Sequence, residues 1–201
     1  EVAEANQIVW DDFRNVASWK LKQASGLGAP VLDVPTEETA PVVMKFTYKA
    51  TRQPYIELLK DSVLYSRPEK VQIPFTTDAI FSKINVMLRA NNAQQSQNII
   101  FQDIAVGEEC VLEIDVEKLF GTDVAIFPLH FESMKMFLST DTEPGERYVT
   151  LPGIIEVFAE GANTEVEQVN TGDGFHKFVK NGSLFIQSKN ATYNVLGTLV
   201  K

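Results

Sequence analysis

Val42-Val-Met-Lys-Phe-Thr-Tyr-Lys49 is the stretch that decides the fold class. Val42, Met44, Phe46 and Tyr48 fall on one side of an extended chain, and Val43, Lys45, Thr47 and Lys49 on the other. A period of two buries one side and wets the other, as a strand packed on a core requires. A helix brings together residues three and four apart and has no use for this pattern.

The same alternation continues along the chain. Ile84, Val86 and Leu88 alternate with Lys83, Asn85 and Arg89, and Leu112, Ile114 and Val116 point inward from a second alternating run. Further strands are expected at 8–13, 19–21, 70–75, 124–128, 131–138 and 148–159. Pro74 confines the 70–75 strand to a sheet edge or a strand end, because proline donates no ladder bond. Residues 99–106 are largely apolar and read as a central strand covered on both faces. A helical turn is expected at 117–120, stopped by Gly121. Residues 55–65 admit two readings. Ile56, Leu59 and Val63 make a helical stripe, whereas a hairpin turning at Lys60-Asp61-Ser62 fits the β-prone runs on either side and is preferred.

These elements predict an all-β chain: a β-sandwich over residues 8–159 with a sub-boundary near 107–110, a linker at 160–174, and a small C-terminal β-meander over 175–201. The linker segment is polar, acidic and rich in Gly, Asn and Thr. Asn181-Gly182 is the commonest two-residue hairpin signal. Ala79-Ile-Phe ahead of the strand at 84–88 is echoed by Ala125-Ile-Phe ahead of the strand at 134–138, which suggests two related halves.

Composition narrows the function. The 201 residues carry a net charge of −9 with 44% hydrophobic content, which is globular and acidic. No lysine or arginine cluster offsets that charge, so nucleic acid is not an expected partner. No stretch approaches the roughly 20 apolar residues of a transmembrane helix. The chain opens at Glu1 rather than Met, which reads as a trimmed N-terminus. Cys110 is the only cysteine; it can form no internal disulfide, and its apolar neighbours mark it as a buried strand thiol.

Catalysis finds no support in the motifs. His130 and His176 lack metalloprotease spacing, and neither a Gly-x-Ser-x-Gly elbow nor a phosphate-binding loop occurs. The acid pairs Asp11/Asp12 and Glu108/Glu109 are adjacent, so on a strand their carboxylates point to opposite faces and cannot flank one glycosidic bond. A different constellation is aromatic and amide-rich. Trp10, Trp19, Tyr55 and Tyr65 supply rings, and Arg89, Asn91, Asn92 and Gln94 cluster around one loop. Sugar binding uses such rings for the apolar side of a pyranose and such polar groups for its hydroxyls. Tryptophans in a sandwich core and a solvated Asn/Gln turn are the competing reading.

Asp11-Asp-Phe-Arg-Asn-Val-Ala-Ser-Trp19, followed downstream by Ile100-Phe-Gln-Asp-Ile104, resembles the galactose-binding-like jelly rolls attached to secreted carbohydrate-active proteins. Ile126-Phe-Pro-Leu-His-Phe-Glu-Ser-Met134 is similar to accessory β-domains found with phosphodiester glycosidase domains in exopolysaccharide-related bacterial proteins. The resemblance implies a jelly-roll sandwich and a non-catalytic, carbohydrate-associated module that binds polysaccharide or a cell-surface glycan. A piece of a glycosidase whose catalytic domain lies outside this chain, or a structural, adhesin-like protein-interaction domain, are the alternatives. It also implies a structural calcium ion near Asp12 and Asp103, although Arg14 stands where the family's glutamate ligand is usual. The segment from Lys177, carrying Gly182, Leu184, Ile186, Tyr193, Gly197 and Val200, resembles the C-terminal tails of Bacteroidetes exported proteins, which are similar to type IX sorting domains. That implies contact with secretion machinery and a secreted or outer-cell-surface bacterial protein.

Overall fold

Twelve strands cross back and forth between two sheets, and the reason lies in how they pair. In chain order they are β1 (Gln7–Asp11), β2 (Lys20–Gln23), β3 (Val31–Asp33), β4 (Val42–Tyr48), β5 (Tyr55–Leu64), β6 (Lys70–Thr77), β7 (Phe81–Arg89), β8 (Gln97–Phe101), β9 (Cys110–Asp115), β10 (Leu129–Leu138), β11 (Gly145–Leu151) and β12 (Ile154–Val157). One sheet has the order β1-β12-β6-β11-β4-β3 with β9 also against β6, and the other has the order β2-β5-β10-β7-β8. The computed structural model describes residues 6–50, 54–64 and 66–158, together with the backbone of four strands between 176 and 200. Residues 9–157 form one compact unit, and residues 1–8 with 158–201 form another.

Strands β4 to β11 make a nested hairpin. β4 pairs with β11, β5 with β10, β6 with β9 and β7 with β8, all antiparallel. Rolling that long hairpin up places β4, β11, β6 and β9 in one sheet and β5, β10, β7 and β8 in the other, which is a jelly roll. The inward-facing residues of both sheets share one hydrophobic core. In β4, Val42, Met44, Phe46 and Tyr48 are all buried, as the alternation requires. The two halves read from the sequence echo do not fold separately. Each supplies strands to both sheets, and β7 and β10 pair directly.

Several local expectations are corrected. Residues 55–64 form one continuous strand, β5, with no hairpin at 60–62. A bulge explains the misleading pattern. Phe131 lies opposite Ser62 and Ser133 opposite Leu59, so Lys60 and Asp61 together face Glu132 alone. β6 is central rather than an edge, despite Pro74. β12 pairs with residues 70–72 and β11 with 76–77, so Pro74 has a ladder partner only on β9 and its missing N–H falls at a break in the sheet. β8 is an edge strand, not a central one, and Ile100 is 52% exposed. Residues 124–126 form a 3-10 turn, with the Asp123 side chain accepting from the Ala125 N–H, instead of a strand. The helical turn is α1 (Val116–Phe120), and Gly121 follows it at φ +89°. Cys110 is half-buried rather than buried, and its Sγ donates to the Ala105 carbonyl.

In the C-terminal unit, strands β13 (His176–Lys180), β14 (Ser183–Ser188), β15 (Ala191–Asn194) and β16 (Leu199–Val200) form an antiparallel meander in chain order. Lys180 pairs with Ser183, which fits a two-residue connection. Asn181-Gly182 itself, the linker and Tyr65 lie outside the described residues.

Candidate functional site

The outer face of the five-stranded sheet follows from its register. Ile56, Leu58, Ile84, Val86, Met134 and Met136 are buried inward, so the residues between them face out. Cross-strand partners in an antiparallel sheet share a face. One row therefore runs Lys22, Glu57, Lys135, Asn85, Ile100 across all five strands. A second runs Lys20, Leu59, Ser133, Met87, Asn98. A third holds Tyr55, Phe137 and Lys83.

The third row carries an aromatic pair. The rings of Tyr55 and Phe137 lie 6.1 Å apart, centre to centre, and tilted. The Lys135 ammonium sits 3.9 Å from the Tyr55 ring centre and 5.3 Å from that of Phe137, while Lys83 sits 4.6 Å from the Phe137 ring. Such contacts hold a cation over a ring without neutralising it. Asn85, beside Lys135, carries the one buried side-chain polar atom among the described residues that lacks a hydrogen-bond partner. That atom is the carbonyl oxygen Oδ1, and buried polar groups are nearly always paired, so it can accept from a hydroxyl once the side chains that cover it shift. Rings, cations and an unpartnered acceptor oxygen thus share one face of the sheet.

Among the described residues, Tyr55 is the only ring of the expected aromatic set that the structure places on this face. Trp19 is 7% exposed and belongs to the core. It stacks on Phe13 at 4.8 Å, meets Phe131 edge-on at 5.9 Å and donates its indole N–H to Asp11. A ring held on those sides has no face left for a sugar. Trp10 is half-buried, tilts against Phe131 at 5.6 Å and donates to the Val63 carbonyl. Both tryptophans close one end of the core, which corrects the expectation of a tryptophan platform.

The amide-rich loop gathers at the end of the sheet remote from Tyr55. Arg89, opposite His130 in the ladder, donates to Glu132 at 3.1 Å, and the Ser96 hydroxyl donates to the same carboxylate at 2.5 Å. That carboxylate ties the loop down. The Asn91 N–H bonds the Ile126 carbonyl, and the side chains of Asn91, Asn92 and Gln94 are exposed. Phe137 and His130 are seven residue steps apart on β10, so Tyr55 and Arg89 stand roughly 23 Å apart along the strands. They frame two ends of one face.

The calcium expectation does not fit the residues present. Asp12 is exposed, and its carboxylate accepts the Arg14 N–H at 3.0 Å and lies 3.9 Å from the Arg14 guanidinium. Asp103 is exposed in a left-handed backbone at φ +57°. Among the described residues no group of three His, Cys, Asp or Glu side chains is placed to hold a metal. Nearby carbonyls are already engaged, since the Arg14 guanidinium donates to Pro35, Glu37 and Ala40 at 3.1, 2.6 and 2.5 Å. A fixed cation stands where a six- to eight-oxygen calcium shell needs an empty place.

A groove of about 340 Å³ lies on the opposite sheet, lined by Val31, Lys45, Thr47, Glu146, Arg147 and Tyr148 among others. Its two cations already have carboxylate partners. Lys45 pairs with Asp33 at 2.5 Å, and Arg147 lies 3.6 Å from Asp78 and 3.9 Å from Glu143. Lys83 and Lys135 have no carboxylate within ion-pairing distance among the described residues. Chemistry therefore favours the five-stranded face over the deeper groove. Sequence reasoning missed Phe137, Lys135 and Lys83 as site residues. Lys83 and Asn85 were legible as the wet side of β7, but Phe137 sits in a mostly apolar run whose phase switches at a bulge.

No protein-family model matches the chain, and no curated protein matches it either. Among solved structures, it is similar to the family 11 carbohydrate-binding module from Clostridium thermocellum in complex with a β-1,3-1,4-mixed-linked tetrasaccharide. That match has 14% identity over 77% of this chain and 96% of the other, with a TM-score of 0.47. Similarity extends to a non-crystalline-cellulose-specific module of family 28, at 16% identity over 74% and 94% with a TM-score of 0.44. A module of family 61 in complex with β-1,4-galactotriose matches at 9% identity over 69% and 88%, with a TM-score of 0.43.

Proposed function

We propose that this chain is a non-catalytic carbohydrate-binding module that holds a polysaccharide across the outer face of its five-stranded sheet. One observation carries the reading: the Tyr55–Phe137 pair shares one sheet face with Lys83, Lys135 and the unpartnered Oδ1 of Asn85. An aromatic face takes the C–H side of a sugar ring, and an amide and ammoniums take its hydroxyls and charges. Asn91, Asn92 and Gln94 stand at the far end of the same face, where a long chain would reach them. The C-terminal segment, through its likeness to exported tails, supports a place outside the cell, secreted or on the outer surface of a bacterium.

Affinity electrophoresis of the full chain through gels containing different polysaccharides tests this reading. Retardation by at least one polysaccharide is expected, together with its loss in a Tyr55→Ala, Phe137→Ala double variant that keeps its circular dichroism. Undiminished retardation of that variant would move the site elsewhere. Absence of retardation across neutral and acidic polysaccharides would remove the proposal.

A further inference from the structure

Resting on that reading, we infer that the occupant is an anionic polysaccharide, one bearing carboxylates along its sugar chain. The whole chain carries 18 Lys and Arg against 27 Asp and Glu. The three rows across the sheet reverse that balance: Lys20, Lys22, Lys83 and Lys135 share them with a single acid, Glu57. Lys135 and Lys83 lie on neighbouring strands two positions apart in register, so their backbones are about 7–8 Å apart, and Lys22 stands two strands from Lys135 at roughly 10 Å. Lysines on backbones so spaced can meet carboxylates on successive parts of one polymer.

Two physical points make the local charge decisive. At physiological salt the Debye length is about 8 Å, so acids elsewhere on the molecule are screened from a ligand lying on this face. Lys83 and Lys135 rest on ring faces instead of carboxylates, so an incoming anion breaks no ion pair to reach them. The Asn85 amide adds selectivity. Its unpartnered Oδ1 accepts from hydroxyls, which sugar acids have and simple polyanions lack.

The test is electrophoretic retardation of the full chain by polygalacturonate and alginate, compared with mixed-linked β-glucan and galactan as neutral polymers. Binding to a polyuronate that weakens as sodium chloride rises is expected. So is a roughly tenfold loss in a Lys83→Gln, Lys135→Gln double variant, the sum of two modest surface charge contacts. Salt-independent binding to neutral glucans, unaffected by those substitutions, would overturn the anionic inference and leave the carbohydrate reading standing. Binding to none of the four polymers would overturn both. Equal binding to poly-glutamate or single-stranded DNA would also overturn the inference, because the face would then be selecting charge without sugar. The salt dependence of the unaltered chain needs no variant to fold.

Discussion

Lys60 of β5 reaches the carboxylate of Asp11 on β1, its ammonium 5.4 Å from the ring centre of Trp10 and 5.1 Å from that of Trp19. The pair joins the two sheets at the end of the core that both indoles close. Asp11 also accepts the Phe13 N–H at 2.7 Å and the Trp19 indole N–H. One carboxylate thus fixes the left-handed backbone of Phe13, at φ +62°, and the orientation of a core tryptophan.

Removing one partner of this pair strands the other in a largely buried place. Lys60→Met or Asp11→Ala is expected to destabilise the sandwich by about 3 kcal/mol in urea unfolding. Lys60→Met combined with Asp11→Ala should cost less than the sum of the two single changes, because the double variant leaves no charge behind. A Lys60→Met protein within about 0.5 kcal/mol of the parent would show that the pair is not structural.

Arg14 works as a fork. Its two terminal nitrogens hold three carbonyls of the 35–40 loop, a geometry that a single ammonium cannot match. Arg14→Lys should cost about 1–2 kcal/mol and speed amide hydrogen exchange in residues 35–40. Calcium chelation should leave the melting temperature of the unaltered chain unchanged. A melting temperature that drops on chelation would restore the calcium expectation.

Glu156 is 3% exposed on β12 and accepts a hydrogen bond from Ser66. Burial pushes its carboxyl above the ordinary carboxylate range, and the Ser66 bond only partly opposes this. The folded state therefore holds the proton more tightly than the unfolded one. Stability from this group is full below the unfolded pKa, falls as pH rises through the window up to the raised folded value, and stays reduced above it. Glu156→Gln should raise the melting temperature at neutral pH and leave it unchanged below the unfolded pKa. An equal shift at both ends of the pH range would assign the effect to packing.

Gly153 sits where β11 gives way to β12, at φ +157°, and a Cβ there would stand 3.0 Å from the Asp11 carbonyl oxygen. Gly153→Ala should cost about 1–3 kcal/mol through backbone strain and the displacement of β1. Unchanged thermal unfolding would mean that β1 can move away freely.

Alternation along 42–48, 83–89 and 111–116 was sufficient to assign strands and to say which side chains meet the core, because the pleat enforces a period of two whatever the partner. The aromatic and amide-rich constellation, separately, put Tyr55 and Arg89 among the candidates for a binding surface. Pairing was not legible. Thr77 meets Val149 and Lys22 meets Glu57 across loops whose sequence carries no register signal. The phase switch in β10 is set by the bulges opposite β5 and β7, and these alone turn Phe137 outward beside Tyr55. Local patterning therefore determined that the chain is a two-faced β protein. Tertiary structure decided which rings serve the core and which serve the surface, since burial belongs to the packed pair of sheets and not to a residue's own sequence neighbours.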